Sequence, residues 1–248
     1  MITEKEMKIF SRQLILSDFS EENFEFIQQQ HVIIVGIGGI GCPVAQYLVS
    51  TGVKNLTLID NDIIQLSNLN RQILFNENDL GEKKVEVAKK KLCFINSKNN
   101  IHAISKIISK NNISQILSNA SLVIDTTDNW KSMILINDYC VKNSIPLLSS
   151  SVIGYDGQVI LFRNNKKNHL CLNCIYPNQN EPNLPRCDTV GVLGIAAGLT
   201  GLIAAQLTIN FFTKNHENVE KIIMINSKLM KIDYIKIKKN DSCINKQK

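Results

Sequence analysis

Aromatic residues are scarce in this 248-residue chain, at 6%. That removes the stacking platforms on which single-stranded nucleic acids are held. The net charge of +6 is modest, and many of the lysines fall between 83 and 91 or beyond 228. Solvated helix faces and a polar tail account for them without a basic stripe, so nucleic acid is not an expected partner. An apolar leader is also missing from Met1-Ile2-Thr3-Glu4-Lys5-Glu6, so the expected compartment is cytoplasmic. In a reducing compartment the seven cysteines point to metal binding, catalysis or burial rather than to disulfides. Charge is absent altogether from Thr189 to Thr213, a stretch long enough to mimic a membrane span. Gln206, Asn210 and the small residues Gly194, Gly198, Ala197, Gly201 and Ala205 within it favour a buried packing helix, and no membrane is expected.

What is present alternates regularly. The first thirty residues read as amphipathic helix. His31-Val32-Ile33-Ile34-Val35 is a short apolar run of the buried parallel-strand type. A helix with Pro43 in its first turn leads to Gly52, and Asn55 to Asp60 forms a second strand ending in an acid. Further helices are expected over 83–95 and through Ile134 and Tyr139. Further strands are expected over 101–108 and 121–125 and at Pro146-Leu147-Leu148. This alternation predicts an α/β fold, Rossmann-like, with a doubly wound, mostly parallel sheet. Gly157 to Phe162, Ile222 to Ile225 and Tyr234 to Ile237 suggest a smaller antiparallel C-terminal half. With no repeat and no low-complexity linker, residues 1–248 read as one domain. Residues 30–150 form its nucleotide-binding half, and 151–248 form a half that shares the same core.

Gly36-Ile37-Gly38-Gly39-Ile40-Gly41 follows a strand and precedes a helix. Glycines there let the backbone approach a phosphate, and the helix N-terminus offers free N–H groups. Asp60 is placed to accept hydrogen bonds from a ribose. These features also suit a nicotinamide-dependent oxidoreductase. Ser67-Asn68-Leu69-Asn70-Arg71-Gln72 and Lys84 add two cations suited to the charge that grows on an attacked phosphate. Asp128 follows a strand's C-terminal end, where it could ligate Mg²⁺ or cap the next helix.

Taken with Ser11-Arg12-Gln13 and Thr127-Asp128-Asn129, these pieces resemble the ThiF/MoeB/HesA family, bacterial relatives of the ubiquitin-activating enzymes. The resemblance runs over nearly the whole chain and is closest to the ThiF branch. It implies adenylation of the C-terminal glycine carboxylate of a ubiquitin-like sulfur carrier, using ATP and Mg²⁺ and releasing pyrophosphate. The carrier expected is ThiS, of thiamine thiazole synthesis, with the molybdopterin carrier MoaD as the alternative. A homodimer is implied, and a sulfur donor protein as a later partner. Carried over by position, the nucleotide site comprises Gly36, Gly38, Gly39, Gly41, Asp60, Asp62, Ser67, Asn68, Leu69, Asn70, Arg71, Gln72, Lys84, Asp128 and Asn129. Arg12 corresponds to an arginine offered to the neighbouring subunit's ATP.

Cys171-Leu172-Asn173-Cys174 is a pair whose sulfurs can share one zinc. In the resembled family a second such pair near the C-terminus completes the site. Here it retains only Cys243, with Lys246 in the fourth place, so zinc is left open. Cys187, beside Arg186, corresponds to the cysteine associated in the ThiF branch with covalent linkage to the carrier; an ordinary loop cysteine is the alternative. Cys42, Cys93 and Cys140 fall on expected helices as packing residues.

Overall fold

The computed structural model describes residues 2–17, 19–95, 99–164, 170–177, 190–240, 243 and 245. The amphipathic N-terminal stretch is two helices, α1 (Glu4–Leu14) and α2 (Glu21–Gln29). Thr3 and Glu6 start α1 with a reciprocal capping box, which satisfies two otherwise orphaned N–H groups. There follow β1 (His31–Val35), α3 (Gly41–Thr51), β2 (Asn55–Ile59), α4 (Lys84–Ile95), β3 (Asn100–Ile104), α5 (Ile113–Leu117), β4 (Leu122–Asp125) and α6 (Trp130–Lys142). The C-terminal half holds β5 (Leu147–Ile153), β6 (Asp156–Phe162), the short α7 (Leu172–Ile175), a long helix α8 (Gly194–Phe212), β7 (Lys221–Asn226) and β8 (Lys231–Lys236).

All eight strands join one sheet in the order β3-β2-β1-β4-β5-β6-β7-β8. The pairs from β3 to β5 are parallel, and those from β5 to β8 are antiparallel. Alternate strand residues point to opposite faces. Val32, Ile34, Leu56, Leu58 and Ile124 therefore pack under α2, α3, α4 and α8, while Ile33, Val35, Ile59 and Val123 pack against α5 and α6. With helices on both faces, the central strands need apolar residues on both, and β1 and β4 accordingly carry the unbroken apolar runs Val32-Ile33-Ile34-Val35 and Leu122-Val123-Ile124.

The expected fold class is the one observed. The third strand ends at Ile104 rather than Ile108. Ile108 is still buried, against Ile113 and Leu117, because burial of an isoleucine needs neighbours rather than strand pairing. The uncharged stretch forms α8. Ala196, Ala197, Thr200, Gly201 and Ala204 lie on its buried side, while Ile195 is 67% and Leu202 37% exposed. It is the one described helix long and apolar enough to cross a membrane by length and composition. Its small residues let it lie close on the sheet: a side chain at Gly157 of β6 would sit 2.0 Å from the Thr200 hydroxyl.

Candidate nucleotide site

The chain leaves β1 toward β2 and β3 on one side, then returns to β4 on the other. The carboxyl ends of β1 and β4 therefore form the switch point where open α/β sheets take their ligands. Gly36, with φ +95, turns the chain out of β1 there. Thr126, just beyond β4, donates from Oγ1 to the Gly36 carbonyl at 2.7 Å, and its N–H donates to Val35. Gly41 opens α3 so close to this turn that a Cβ on it would lie 2.0 Å from the Gly36 oxygen. Only glycine fits, and the helix N-terminus is thereby aimed across the loop.

The acid after β2 does more than the sequence suggested. Asp60 Oδ2 accepts the Ile37 N–H at 2.7 Å, and Oδ1 accepts the Asp62 N–H at 2.9 Å. Asp60 thus fixes the glycine loop and the following segment together; its remaining lone pairs stay available to a ribose. Asp62 in turn pairs with Lys84 Nζ at 2.8 Å. Lys84 is no solvated helix lysine: its side chain is 6% exposed. Such burial of an ammonium requires a partner, and Asp62 supplies it.

Ser67 to Gln72 wind through a 3₁₀ turn over Leu66–Asn68. Asn68 is buried and Leu69 half-buried, and Asn68 Oδ1 accepts the Gln65 N–H, so both shape the turn. Arg71 Nη1 donates to the Ser67 carbonyl and the Asn70 side chain, with no ion pair among the described residues. Gln72 is 3% exposed with Oε1 unpartnered, and its amide lies 3.9 Å from where a Gly38 side chain would begin.

The opening of α8 closes the crevice beside this turn. A Cβ at Gly194 would fall 2.5 Å from the Asn70 carbonyl, and one at Gly39 would fall 3.1 Å from Ala197 and 3.3 Å from the Arg71 stem. Leu193, at the N-cap of α8, makes no side-chain cap and donates its own N–H to the Gly154 carbonyl at 3.0 Å, and the first turn of the helix lies against Arg71. Two helix N-termini and two cations therefore converge on one crevice. The sequence reading missed the second terminus, because only folding brings Gly194 to the 67–72 turn. Two concavities among the described residues, of about 340 and 460 Å³, lie elsewhere, lined by residues such as Arg163 and Phe211 or Leu16 and Asn210.

Asp128 is exposed beyond β4. It does not cap α6: Asn129 Oδ1 does, accepting the Ser132 N–H at 2.9 Å. Sequence alone allowed Asp128 that role; the turn shifts it by one residue and leaves the Asp128 carboxylate clear of capping. Asn129 is correspondingly committed to the helix. Arg12 is not brought to its own chain's crevice. It sits in the last turn of α1, where the next residue, Gln13, donates to Ser50 at the end of α3 remote from the glycine loop.

Cys171, Cys174 and Cys243 converge, their sulfurs all within 4.8 Å of one another and buried. The bond that Cys171 donates to Cys174 holds the Cys174 thiol below its ordinary pKa and raises that of Cys171, which burial raises further. The three soft donors match zinc. Among the described residues the Asn240 backbone bonds Cys174, and the Asn245 amide bonds Asp138 at 2.9 Å and lies 4.0 Å from Cys171 Sγ. Cys187 and Lys246 lie outside the described residues. Cys42 and Cys140 are buried in α3 and α6; burial pushes both thiols far up, Cys42 to about 12, as for packing residues.

Comparison with known proteins is consistent with this geometry. The model of the ThiF family matches residues 10–245. The sulfur carrier protein adenylyltransferase of Thermus thermophilus is 34% identical over 209 residues, which cover 82% of this chain and 77% of that protein. The adenylyltransferase and sulfurtransferase MOCS3 of Drosophila persimilis is 38% identical over 205 residues, 82% of this chain but 45% of that protein. The chain thus spans about half the length of the MOCS3 relatives it matches. Among solved structures, Escherichia coli MccB with MccA-N7isoASN superposes with a TM-score of 0.82 at 23% identity, covering 97% of this chain and 74% of that one. At that identity the likeness concerns the fold.

Proposed function

The chain belongs to the ThiF family, and from that premise we propose that it adenylates the C-terminal carboxylate of a ubiquitin-like sulfur carrier, with ThiS as the carrier. The observation that carries this reading is that the Arg71 stem lies 3.3 Å from where a Gly39 side chain would begin, that Asp60 ties the Lys84–Asp62 pair to the glycine loop, and that Asp128 follows two residues after Thr126, which bonds Gly36. A hydride-transfer site develops no new charge on its phosphates, so it gains less from two cations beside them. Phosphoryl chemistry gains more, because charge accumulates on the oxygens around the attacked phosphorus.

In the proposed reaction a carboxylate oxygen of the carrier's terminal glycine bonds to the α-phosphorus of ATP. The bond from that phosphorus to the bridging oxygen breaks, and pyrophosphate leaves with the electron pair. No general base is needed, since a C-terminal carboxylate is already ionised at neutral pH. The chain's own part is to seat the phosphates on the α3 terminus, orient them with Arg71 and Lys84, and present Asp128. Mg²⁺, held by Asp128, would neutralise phosphate charge. Zinc, held by Cys171, Cys174 and Cys243, would brace the C-terminal segment and take no part in the reaction.

The reading includes a homodimer in the cytoplasm. Ile195 and Leu202 on the outer face of α8 are exposed, and a side chain at Gly198 would meet nothing, an apolar stripe suited to a second copy. Arg12, remote from its own crevice, would then serve the partner's. The decisive experiment is ATP–pyrophosphate exchange with purified ThiS-like and MoaD-like carriers offered separately. Exchange is expected with the ThiS-like protein. Exchange with the MoaD-like carrier alone would keep the chemistry and change the carrier, while exchange with neither, in folded protein, would end the reading.

A further inference from the structure

We propose that Asp125 is a positioning residue, whose buried carboxylate sets the turn that delivers Asp128 to the cation and phosphates of a bound nucleotide. The inference rests on the nucleotide reading above and adds to it a group that touches neither ligand nor reacting atoms.

Asp125 closes β4 and is 1% exposed. One oxygen, Oδ1, accepts both the Thr127 N–H at 3.0 Å and the Thr127 hydroxyl at 2.7 Å. Such a local side-chain bond to the backbone two residues on replaces the strand ladder just where the strand must end. Its main-chain carbonyl is held from the other side by the Ser150 hydroxyl at 3.1 Å. The intervening Thr126 is locked to Gly36. Residues 125 to 127 are therefore fixed at each step, by β5, by the glycine loop and by the carboxylate, and the direction in which Asp128 leaves is fixed with them.

The carboxylate is an expensive way to do this. Its Oδ2 is buried without a partner, and no cation pairs with it among the described residues. The groups that face it are the Cys140 thiol on α6, the Thr127 hydroxyl and the Asp128 carboxylate. Burial raises its pKa to about 6 against the opposing effect of the Thr127 bonds, and Asp128 adds to the rise. An apolar residue at the end of β4 would avoid that desolvation. What it lacks is an oxygen to accept the two bonds from Thr127, and the penalty is explained if that turn is what the position is for.

The test measures direct binding of ATP with and without Mg²⁺ by calorimetry, alongside thermal unfolding, for the full chain and three variants. Asp125→Ala should keep its affinity for Mg²⁺-free ATP within about twofold but lose roughly tenfold or more of the gain that Mg²⁺ confers, as expected for loss of bonds to a charged acceptor. Asp125→Asn keeps an oxygen for both Thr127 donors and should restore most of that gain. Thr127→Val, which removes one donor and keeps the fold even if Asp125→Ala does not, should show a smaller loss of the same kind. The proposal is overturned if the folded Asp125→Ala and Thr127→Val proteins keep the full effect of Mg²⁺. It is equally overturned if both forms of ATP weaken together, or if Asp125→Asn behaves as Asp125→Ala. Failure of the unsubstituted chain to bind Mg-ATP would refute the nucleotide reading itself, a result distinct from all of these.

Discussion

The nucleotide crevice and the cysteine cluster are both gatherings of polar side chains from distant parts of the chain, and they are built in opposite ways. In the crevice the buried groups hold one another, Asp60 on Ile37 and Lys84 on Asp62, so that Asp128, Ser67 and Asn70 remain exposed. In the cluster the three sulfurs are buried and turned on each other. A site that must admit and release a ligand needs donors left over after the scaffold is satisfied. A site that only ties two segments together does not. On the proposed reading the difference separates a reacting centre from a brace, and substitutions in each should therefore fail differently.

The largest separation is expected from Asp128→Ala or Arg71→Ala. Pyrophosphate exchange should fall about 10²- to 10³-fold, while the unfolding temperature moves little, since neither side chain is buried. A large fall in stability instead would erase the distinction. Gly41→Ala attacks the scaffold of the same crevice. With 2.0 Å between the new Cβ and the Gly36 oxygen, a loss of about 3 kcal/mol is expected, measurable by denaturant unfolding together with weakened ATP binding.

For the brace, chain purified without added zinc should carry close to one metal equivalent, measured by elemental analysis. Cys243→Ser or chelation should lower the unfolding temperature by several degrees and leave exchange within about twofold. Exchange that disappears with the metal would join the two regions functionally.

The smallest effect is a pH dependence with two opposite parts. Burial of Glu6 disfavours its charge, but bonds from Lys54 and Thr3 prevail and lower its carboxyl to about 2. Its stabilising effect is therefore full above its unfolded pKa near 4.5 and is lost as pH falls toward 2. Asp125, raised from 3.8 to about 6, has the reverse sign. Its folded form binds the proton more tightly, so stability is lost as pH rises from about 4 through 6. Unfolding measured across pH 2 to 8 should show Asp125→Asn removing the second slope and Glu6→Gln the first.

Much of this was legible in the residues. His31 to Val35 had to be a strand buried on both faces, because no polar residue interrupts it. Ser67 to Gln72, Lys84 and Thr127-Asp128-Asn129 marked the proposed site by residue type and order. Less legible were partnerships. Nothing local told that Lys84 is buried against Asp62, since a lysine in a lysine-rich helix looks solvated until its neighbours are known. The capping role open to Asp128 went to Asn129 because the turn held by Asp125 decides where α6 begins. Asp125 itself read only as a strand's last residue; an acid closing an apolar run immediately before two threonines was the available signal.

By itself, then, the sequence determined the alternation of elements, the glycine turn out of β1 and the charges available to a phosphate, all of which depend on neighbours within a few positions. The tertiary structure decided which charges remain free. Lys84 is matched to an acid 22 positions away, the α8 terminus is set against Arg71, and three sulfurs spread over 72 positions are gathered into one cluster. Pairing and desolvation depend on distance in space, and spatial distance is settled only when the sheet brings the ends of its strands together.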